Sequence, residues 1–349
     1  MGTSYIQSKN LQDRKVIQLL TLKDGRLSAV FENEIEIYSK NNLETEILIE
    51  GGKNFKNLTQ LNNGNLIISF RYNIKLNKIK MTKIISLKDN SYNIEQELEN
   101  ELYSEKILEK DDYLYSFEQD SIYHEQRDIN GCINIYKKFI DNKYRKIASI
   151  NNSNKLQNQN WSWFIDACFI NNNEIMIVLC NGIKFLNINN ANCSNEITNY
   201  HNERQVHLAT LSEQTSGDFI CKLNNNLYLI AGDNKFYIVD ALKYNINSII
   251  QLEEEDKIIK GIKKDFKNQI LVLMDNNYRD MKDIYKKYDY FCVYKYENEK
   301  LEKISELQEG NKLIDSFEIL DNNQVVFLMH LYASYFGYQR NTYLNISSY

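Results

Sequence analysis

The sequence contains no proline, and among its 349 residues there are only four histidines and two tryptophans. Without proline the loops lack the fixed φ angle that limits the unfolded ensemble, so the chain forgoes one source of loop rigidity. Asparagine is used well above its average frequency. An AT-biased codon usage explains most of this excess, and asparagine is in any case an efficient turn residue.

Motifs of catalysis and cofactor binding are also missing. The sequence has no G-x-S-x-G, no P-loop and no Rossmann glycine pattern. The closest histidines, His201 and His207, are six residues apart, which matches neither a helical zinc pair nor a zinc finger. Gly232-Asp233-Asn234 is typical of a hairpin turn and not of a phosphate loop. We therefore expect a protein that is not an enzyme, with no catalytic residue, no bound metal and no cofactor.

The six cysteines show no C-x-x-C and no paired spacing. Most of them stand inside apolar, strand-like runs, where a thiol behaves as a small hydrophobic group. This favours a reducing compartment over a disulfide framework. The N-terminus has no apolar signal-peptide core, and no apolar run approaches the roughly 18 residues of a membrane span. We expect an intracellular, cytoplasmic protein without a membrane span.

Basic charge is not in excess, since 42 basic residues stand against 47 acidic ones for a net charge of −5. This balance disfavours a nucleic-acid binder. Two lysine runs are the exceptions, and we interpret both as solvated strand faces and not as phosphate contacts. They consist of Lys75, Lys78, Lys80 and Lys83, and of Lys257, Lys260, Lys263, Lys264 and Lys267.

A recurring unit is visible at Leu22–Tyr38, which reads turn, strand, turn, strand. Lys23-Asp24-Gly25 is a tight-turn signal. The run 34–38 then alternates isoleucine with glutamate, the period of a strand with one buried face. Degenerate copies of this unit recur about every 40 to 60 residues, the spacing of propeller blades.

Seven such units are found along the chain, which we interpret as one domain covering residues 1–349. The approximate blades are 14–52, 53–101, 102–153, 154–214, 215–254, 255–310 and 311–349. The fourth blade is expected to end with a strand at Gln205–Leu211. The last blade has only three strands, and the isolated strand at residues 3–9 can supply its fourth. The sequence thus predicts an all-β, seven-bladed propeller of four-stranded antiparallel blades, closed by the N-terminal strand.

Several turns and strands resemble those of the WD-repeat family. Lys23-Asp24-Gly25-Arg26-Leu27 and Leu61-Asn62-Asn63-Gly64-Asn65-Leu66 are similar to that family's turn between its first and second strands. Phe236-Tyr237-Ile238-Val239-Asp240 resembles its third strand, with Val239-Asp240 in place of the usual Trp-Asp ending. No Gly-His dipeptide is present, so the family's Asp-His-Ser-Trp network cannot be assigned to any blade, and related propellers without that network stay possible.

The longest insertions point to a binding surface. In a four-stranded blade, the second-to-third loops and the blade-to-blade connections share one face, and here they carry aromatic and arginine residues of the kind enriched at interface hot spots. The candidate partner-binding residues are Tyr123, Arg127, Trp161, Tyr278, Arg279, Tyr285, Tyr332, Tyr335, Phe336, Tyr338 and Arg340. We therefore predict a protein-binding scaffold, or a subunit of a larger intracellular assembly, whose partner docks on this face.

Two alternatives remain open. One is a propeller enzyme with carboxylates at the mouth of its channel, for which Asp166 on the first strand of the fourth unit is the candidate. The other is a propeller that binds phosphoinositides or nucleic acid through one of the lysine runs. The same aromatic residues can also pack locally within their loops, in which case they stabilise the fold and bind nothing.

Overall fold

All of the elements in the described part of the chain are β-strands, in a computed structural model of the protein. The structure describes residues 7–12, 14–40, 42–50, 55–74, 77–99, 101–102, 104–120, 130–151, 164–180, 182–189, 192–197, 218–232, 234–252, 257–276, 289–308, 312–320, 324–332 and 340–348. Within these ranges, there is no helix of the length and apolarity needed to cross a membrane.

The 28 strands of the described ranges form seven four-stranded sheets, six of which follow the chain in order. The first two blades are β2 (Val16–Thr21), β3 (Leu27–Phe31), β4 (Glu34–Tyr38), β5 (Thr45–Glu50), then β6 (Phe55–Gln60), β7 (Leu66–Ile74), β8 (Asn77–Lys88), β9 (Ser91–Glu99). Blades three and four are β10 (Lys106–Lys110), β11 (Tyr113–Asp120), β12 (Asn130–Lys138), β13 (Tyr144–Asn151), then β14 (Phe164–Asn171), β15 (Glu174–Leu179), β16 (Gly182–Asn187), β17 (Asn192–Ile197). Blades five and six are β18 (Ile220–Lys222), β19 (Leu227–Ala231), β20 (Lys235–Asp240), β21 (Asn245–Gln251), then β22 (Lys257–Lys264), β23 (Gln269–Asn276), β24 (Asp289–Glu297), β25 (Lys300–Gln308).

The seventh sheet joins the two ends of the chain. Its strands are β26 (Lys312–Ile319), β27 (Gln324–Tyr332), β28 (Arg340–Ser348) and β1 (Gln7–Gln12). Gln7 pairs with Ile346 and Asn10 with Tyr343, in antiparallel register. The prediction of a seven-bladed propeller closed by the N-terminal strand is thus confirmed. The described strand reaches Gln12, three residues further than the expected 3–9, while residues 3–6 lie outside the described ranges.

The asparagine- and aspartate-rich turns have the geometry that their sequence predicts. Gly25 and Gly64 adopt φ angles of 86° and 89°, values that residues with a Cβ rarely reach. In each turn an acidic or amide side chain accepts a hydrogen bond from the backbone two residues on, Asp24 from Arg26 and Asn63 from Asn65. The abundant asparagines therefore serve to close the turns between first and second strands.

The middle strands of a blade are buried more completely than the alternation of apolar and polar residues predicts. Every residue of β3 and β15 is buried, and in β4 Glu36 is only 8% exposed. The expected single buried face of residues 34–38 is therefore wrong. A blade is covered on both faces, and Glu36 is accommodated because its carboxylate accepts a hydrogen bond from Thr45 Oγ1 at 3.2 Å.

The outer strands share a one-residue irregularity. In five blades the fourth strand carries one extra residue opposite the third strand, a β-bulge at Glu46, Glu95, Ile147, Asn247 or Ile304. A bulge increases the local twist and disturbs the regular edge that another strand could join. In the fourth blade the last strand is β17 and not the predicted Gln205–Leu211, which lies outside the described residues.

The chain divides into two compact units, each with its own apolar cores. One comprises Met1–Thr21, Lys40–Leu43 and Ile197–Tyr349, and the other Leu22–Ser39 and Glu44–Glu196. In the first unit, the Phe291 ring contacts Phe317 and Phe327 edge to face, with ring centroids 5.2 and 4.9 Å away. In the second, Phe117 stacks on Phe164 at 5.2 Å. Each of the buried rings, Phe117, Phe291, Phe317 and Phe327, contributes about 2–3 kcal/mol through the hydrophobic effect, while Phe164 is only partly buried.

Five of the six cysteines are thiols in this structure, while the side chain of Cys193 lies outside the description. Burial raises the pKa of Cys221 to about 12 and that of Cys292 to about 12. Because the thiolate is the reactive species, both groups are nearly inert near neutral pH.

Removal of residues 1–12 is expected to destabilise the protein, because it exposes the edge of β28 and removes Leu11, whose side chain is fully buried. The loss of Leu11 alone corresponds to about 2–5 kcal/mol. Thermal denaturation measures the effect, with a chain lacking only residues 1–6 as the control. Equal melting temperatures for the two truncations would contradict the role of β1.

Alkylation of the folded protein at mildly alkaline pH is expected to modify the half-buried Cys132 and Cys168 before Cys221 and Cys292. Peptide mass spectrometry over time identifies which thiols have reacted, and unfolding in urea should make all of them accessible. Modification of Cys221 at the rate of Cys132 would show that its predicted protection is wrong.

Candidate interaction surface

The structure describes only a small part of the predicted binding surface. Of the candidate residues, Tyr332 and Arg340 are in strands, as the last residue of β27 and the first of β28, and they are direct partners in the ladder. The ladder ends at this pair, so the connection between β27 and β28 comprises residues 333–339. The other candidates lie outside the described residues: Tyr123, Arg127, Trp161, Tyr278, Arg279, Tyr285, Tyr335, Phe336 and Tyr338.

The structure does describe the base of one of these connections, at residues 277–288. Asp289 is the first residue of β24, directly after the connection 277–288, and it is fully buried. Both of its carboxylate oxygens lie 3.3 Å from Lys260 Nζ. One of them also accepts a hydrogen bond from the backbone N–H of Ile314 in the next blade. Lys260 in turn donates to the carbonyl oxygen of Ile314 at 3.3 Å.

Two β-bulges create this arrangement. Lys260 is the extra residue between Ile259 and Gly261 in β22, and Asp315 is the extra residue in β26 directly after Ile314. A bulge changes the direction of the side chain that it carries and interrupts the ladder. We name the group Lys260, Asp289 and Ile314 the blade 6–7 clamp, because it ties the first and third strands of blade six to the first strand of blade seven.

A second buried lysine holds the neighbouring position. Lys257 is only 3% exposed, and its Nζ lies 3.7 Å from the centre of the Tyr290 ring, the residue after Asp289. The same Nζ is 3.6 Å from a carboxylate oxygen of Glu306. A cation over an aromatic face in a desolvated site is worth about 2 kcal/mol. Both residues that follow the connection 277–288 are thus held by lysines of β22.

A third lysine of the strand, Lys263, forms an ion pair with Glu318 in β26. Burial raises the pKa of Glu318 above its ordinary value, while the neighbouring Lys263 lowers it in part. Lys264 Nζ donates to the carbonyl oxygens of Lys222 and Leu223 at 3.1 and 3.2 Å. The interpretation of this lysine run as a solvated face is therefore wrong, with the exception of the exposed Lys267.

The carboxylate considered for a catalytic site is also in an ion pair. Asp166 is 3% exposed and lies 2.9 Å from Lys106 Nζ, which is on the first strand of the preceding blade. The backbone N–H of Ala167 donates to the same carboxylate at 2.8 Å. Across the described ranges, no three histidine, cysteine or acidic side chains converge in a way that could hold a metal.

The clamp could not be predicted from the sequence, because the order of apolar and polar residues within one strand does not reveal which lysine is buried. Lys257, Lys260, Lys263 and Lys264 stand at irregular intervals in an apolar run, and the bulge at Lys260 changes which side of the strand each faces. The Gly261 that follows Lys260 was the available signal, since an isolated glycine in a strand often marks a bulge.

Replacement of Asp289 by alanine is expected to lower the free energy of unfolding by about 3 kcal/mol, because it leaves Lys260 and the Ile314 N–H without their buried acceptor. Asp289→Asn retains an acceptor for Ile314 and should cost less. Urea denaturation measures both, with Glu297→Ala as the control in the same blade, whose exposed pair with Lys295 is worth at most about 1 kcal/mol. Equal losses for Asp289→Ala and Glu297→Ala would disprove the clamp.

Comparisons with known proteins give similarity of fold alone. No protein-family model matches the sequence, and no curated protein sequence does so. A chain in the crystal structure of a mitotic checkpoint complex superposes with a TM-score of 0.63 at 7% identity, over 99% of this chain and 93% of that one. The AfRom2 CNH domain superposes with a TM-score of 0.58 at 8% identity, over the full length of both chains. The protein therefore has a WD-repeat-like β-propeller fold.

Proposed function

We propose that this protein is a non-catalytic binding scaffold, or a subunit of a larger assembly, that binds a protein partner through the second-to-third connections of its blades. The observation that carries the proposal is the blade 6–7 clamp. It fixes the start of β24, where the connection 277–288 ends, and ties it to β26 of blade seven. The connections 277–288 and 333–339 contain six of the candidate aromatic and arginine residues.

Rigid support of this kind is what a binding surface requires. Lys257 and Lys260 fix the two residues that follow the first connection, and the Tyr332–Arg340 pair closes the ladder at the second. A recognition loop that starts from a fixed base loses less conformational entropy when it binds. Tyrosine and arginine then supply a large contact area and directional hydrogen bonds.

The two alternative functions have less support. A catalytic carboxylate at Asp166 is disfavoured because that group is buried and paired with Lys106. A phosphate-binding face at the second lysine run is disfavoured because Lys257, Lys260, Lys263 and Lys264 already have partners within the protein. The similar chain in the mitotic checkpoint complex is itself part of a complex, which agrees with a protein-binding role.

Alanine substitution at Tyr285 or Tyr335 is expected to weaken partner binding by about 2 kcal/mol or more, a factor of about 30, without lowering the melting temperature. The partner is first isolated with the full-length chain from its source cells and identified by mass spectrometry, and calorimetry then measures the affinity. Tyr296→Ala, near the opposite end of β24, is the matched control and should leave the affinity unchanged. Reduced stability with unchanged affinity would instead assign these rings to local packing.

A further inference from the structure

The hairpin between β12 and β13 in the third blade ends in two exposed apolar side chains. Phe139 is 41% exposed, and Ile140, the next residue, is 103% exposed. The described third-to-fourth turn of blade five exposes a single large apolar residue, Leu242, at 67%. Two adjacent exposed apolar residues at one convex tip represent a solvation cost that local packing does not explain.

This tip is a well-formed turn. The N–H of Phe139 donates to the carbonyl oxygen of Lys143, and that of Asn142 donates to the carbonyl oxygen of Phe139. Asn142 takes a left-handed φ of 61°, a conformation that asparagine tolerates. The guanidinium carbon of Arg145 lies 4.8 Å from the centre of the Phe139 ring, and one of its nitrogens is 3.3 Å from an Asp141 oxygen. The apolar residues are thus presented on a preformed support.

Basic side chains surround the tip on both strands of the hairpin. The residues that share this property are Lys137, Lys138, Lys143, Arg145 and Lys146. Lys137 and Arg145 are direct partners across the ladder. Five carboxylates are near in sequence or interact with these lysines: Asp141, which pairs with Arg145; Asp111 and Asp112 of the adjacent turn, which also contains Lys110; Glu109, near Lys138; and Glu118, near Lys146. A small positive excess remains around the tip.

We propose that this hairpin is a membrane-docking element, in which Phe139 and Ile140 insert between the headgroups of an anionic lipid surface. A strand rises by about 3.3 Å per residue, so all five basic residues lie within roughly 10 Å of the tip. That distance matches the depth to which interfacial apolar side chains enter a bilayer. Each lysine or arginine near an anionic surface strengthens the attraction by roughly fivefold.

Shape and charge together favour a lipid surface over a protein partner. The apolar area consists of two side chains on a convex tip, which is too small for a stable protein interface. Insertion into a deformable bilayer requires no complementary pocket, and the basic residues behind the tip meet the anionic headgroups. In its own blade, this turn lies at the opposite end of the sheet from the connection 121–129, so membrane docking leaves the proposed protein-binding connection of that blade accessible.

Co-sedimentation of the full-length protein with lipid vesicles tests the proposal. We expect at least tenfold stronger binding to phosphatidylcholine vesicles that contain roughly 30 mol% phosphatidylserine than to phosphatidylcholine alone, and weaker binding as salt screens the charges. The double substitution Phe139→Ser and Ile140→Ser should reduce this binding at least tenfold, and Lys138→Glu with Lys143→Glu should do the same. Circular dichroism verifies that these variants stay folded.

Leu242→Ser is the matched control, since Leu242 is an exposed apolar residue in the corresponding turn of blade five. Its vesicle binding should equal that of the unaltered protein. The proposal is overturned if the protein stays in the supernatant with anionic vesicles. That result is expected if the tip binds only a protein. It is also overturned if the Phe139→Ser and Ile140→Ser variant binds vesicles as well as the Leu242→Ser control does.

Discussion

Every sheet edge must be either paired or made unattractive to another strand, and much of this structure follows from that constraint. The seventh blade meets it by pairing, because β1 occupies the outer edge of β28. Other blades meet it with the bulge that places one extra residue in the fourth strand. A bulged, twisted edge offers no regular row of backbone donors and acceptors to another chain.

Bulges have a second role in the first strands of the blades, where they place charged side chains against a neighbouring blade. In β22 the bulge at Lys260 allows one strand to direct lysines toward the two neighbouring blades, with Lys263 contacting Glu318 and Lys264 contacting the carbonyl of Leu223. Buried ion pairs of this kind add little net stability, but the loss of one partner is costly. Their effect is therefore to fix the position of blade six relative to blades five and seven.

The architecture was predictable from the sequence because each blade repeats local signals of known physical meaning. Glycine and asparagine turns define the strand ends, and the bounds of β4, residues 34–38, were predicted to the residue. The lysine contacts were not predictable. They depend on which residue a bulge displaces and on which carboxylates and carbonyl oxygens of the neighbouring blades lie opposite that residue. The proposed binding residues are defined by composition alone, for most of them lie outside the described ranges.

The pairing of β1 with β28 also determines the order of events during synthesis. Roughly 330 residues separate Asn10 from its partner Tyr343, which at a typical ribosomal rate corresponds to a delay of about 20–70 s between their synthesis. During this time β1 has no ladder to join, although it carries Leu11, a side chain that ends fully buried. The seventh blade therefore cannot be completed until β28 has been made. In that interval a molecular chaperone or another copy of the chain can compete for the unpaired β1.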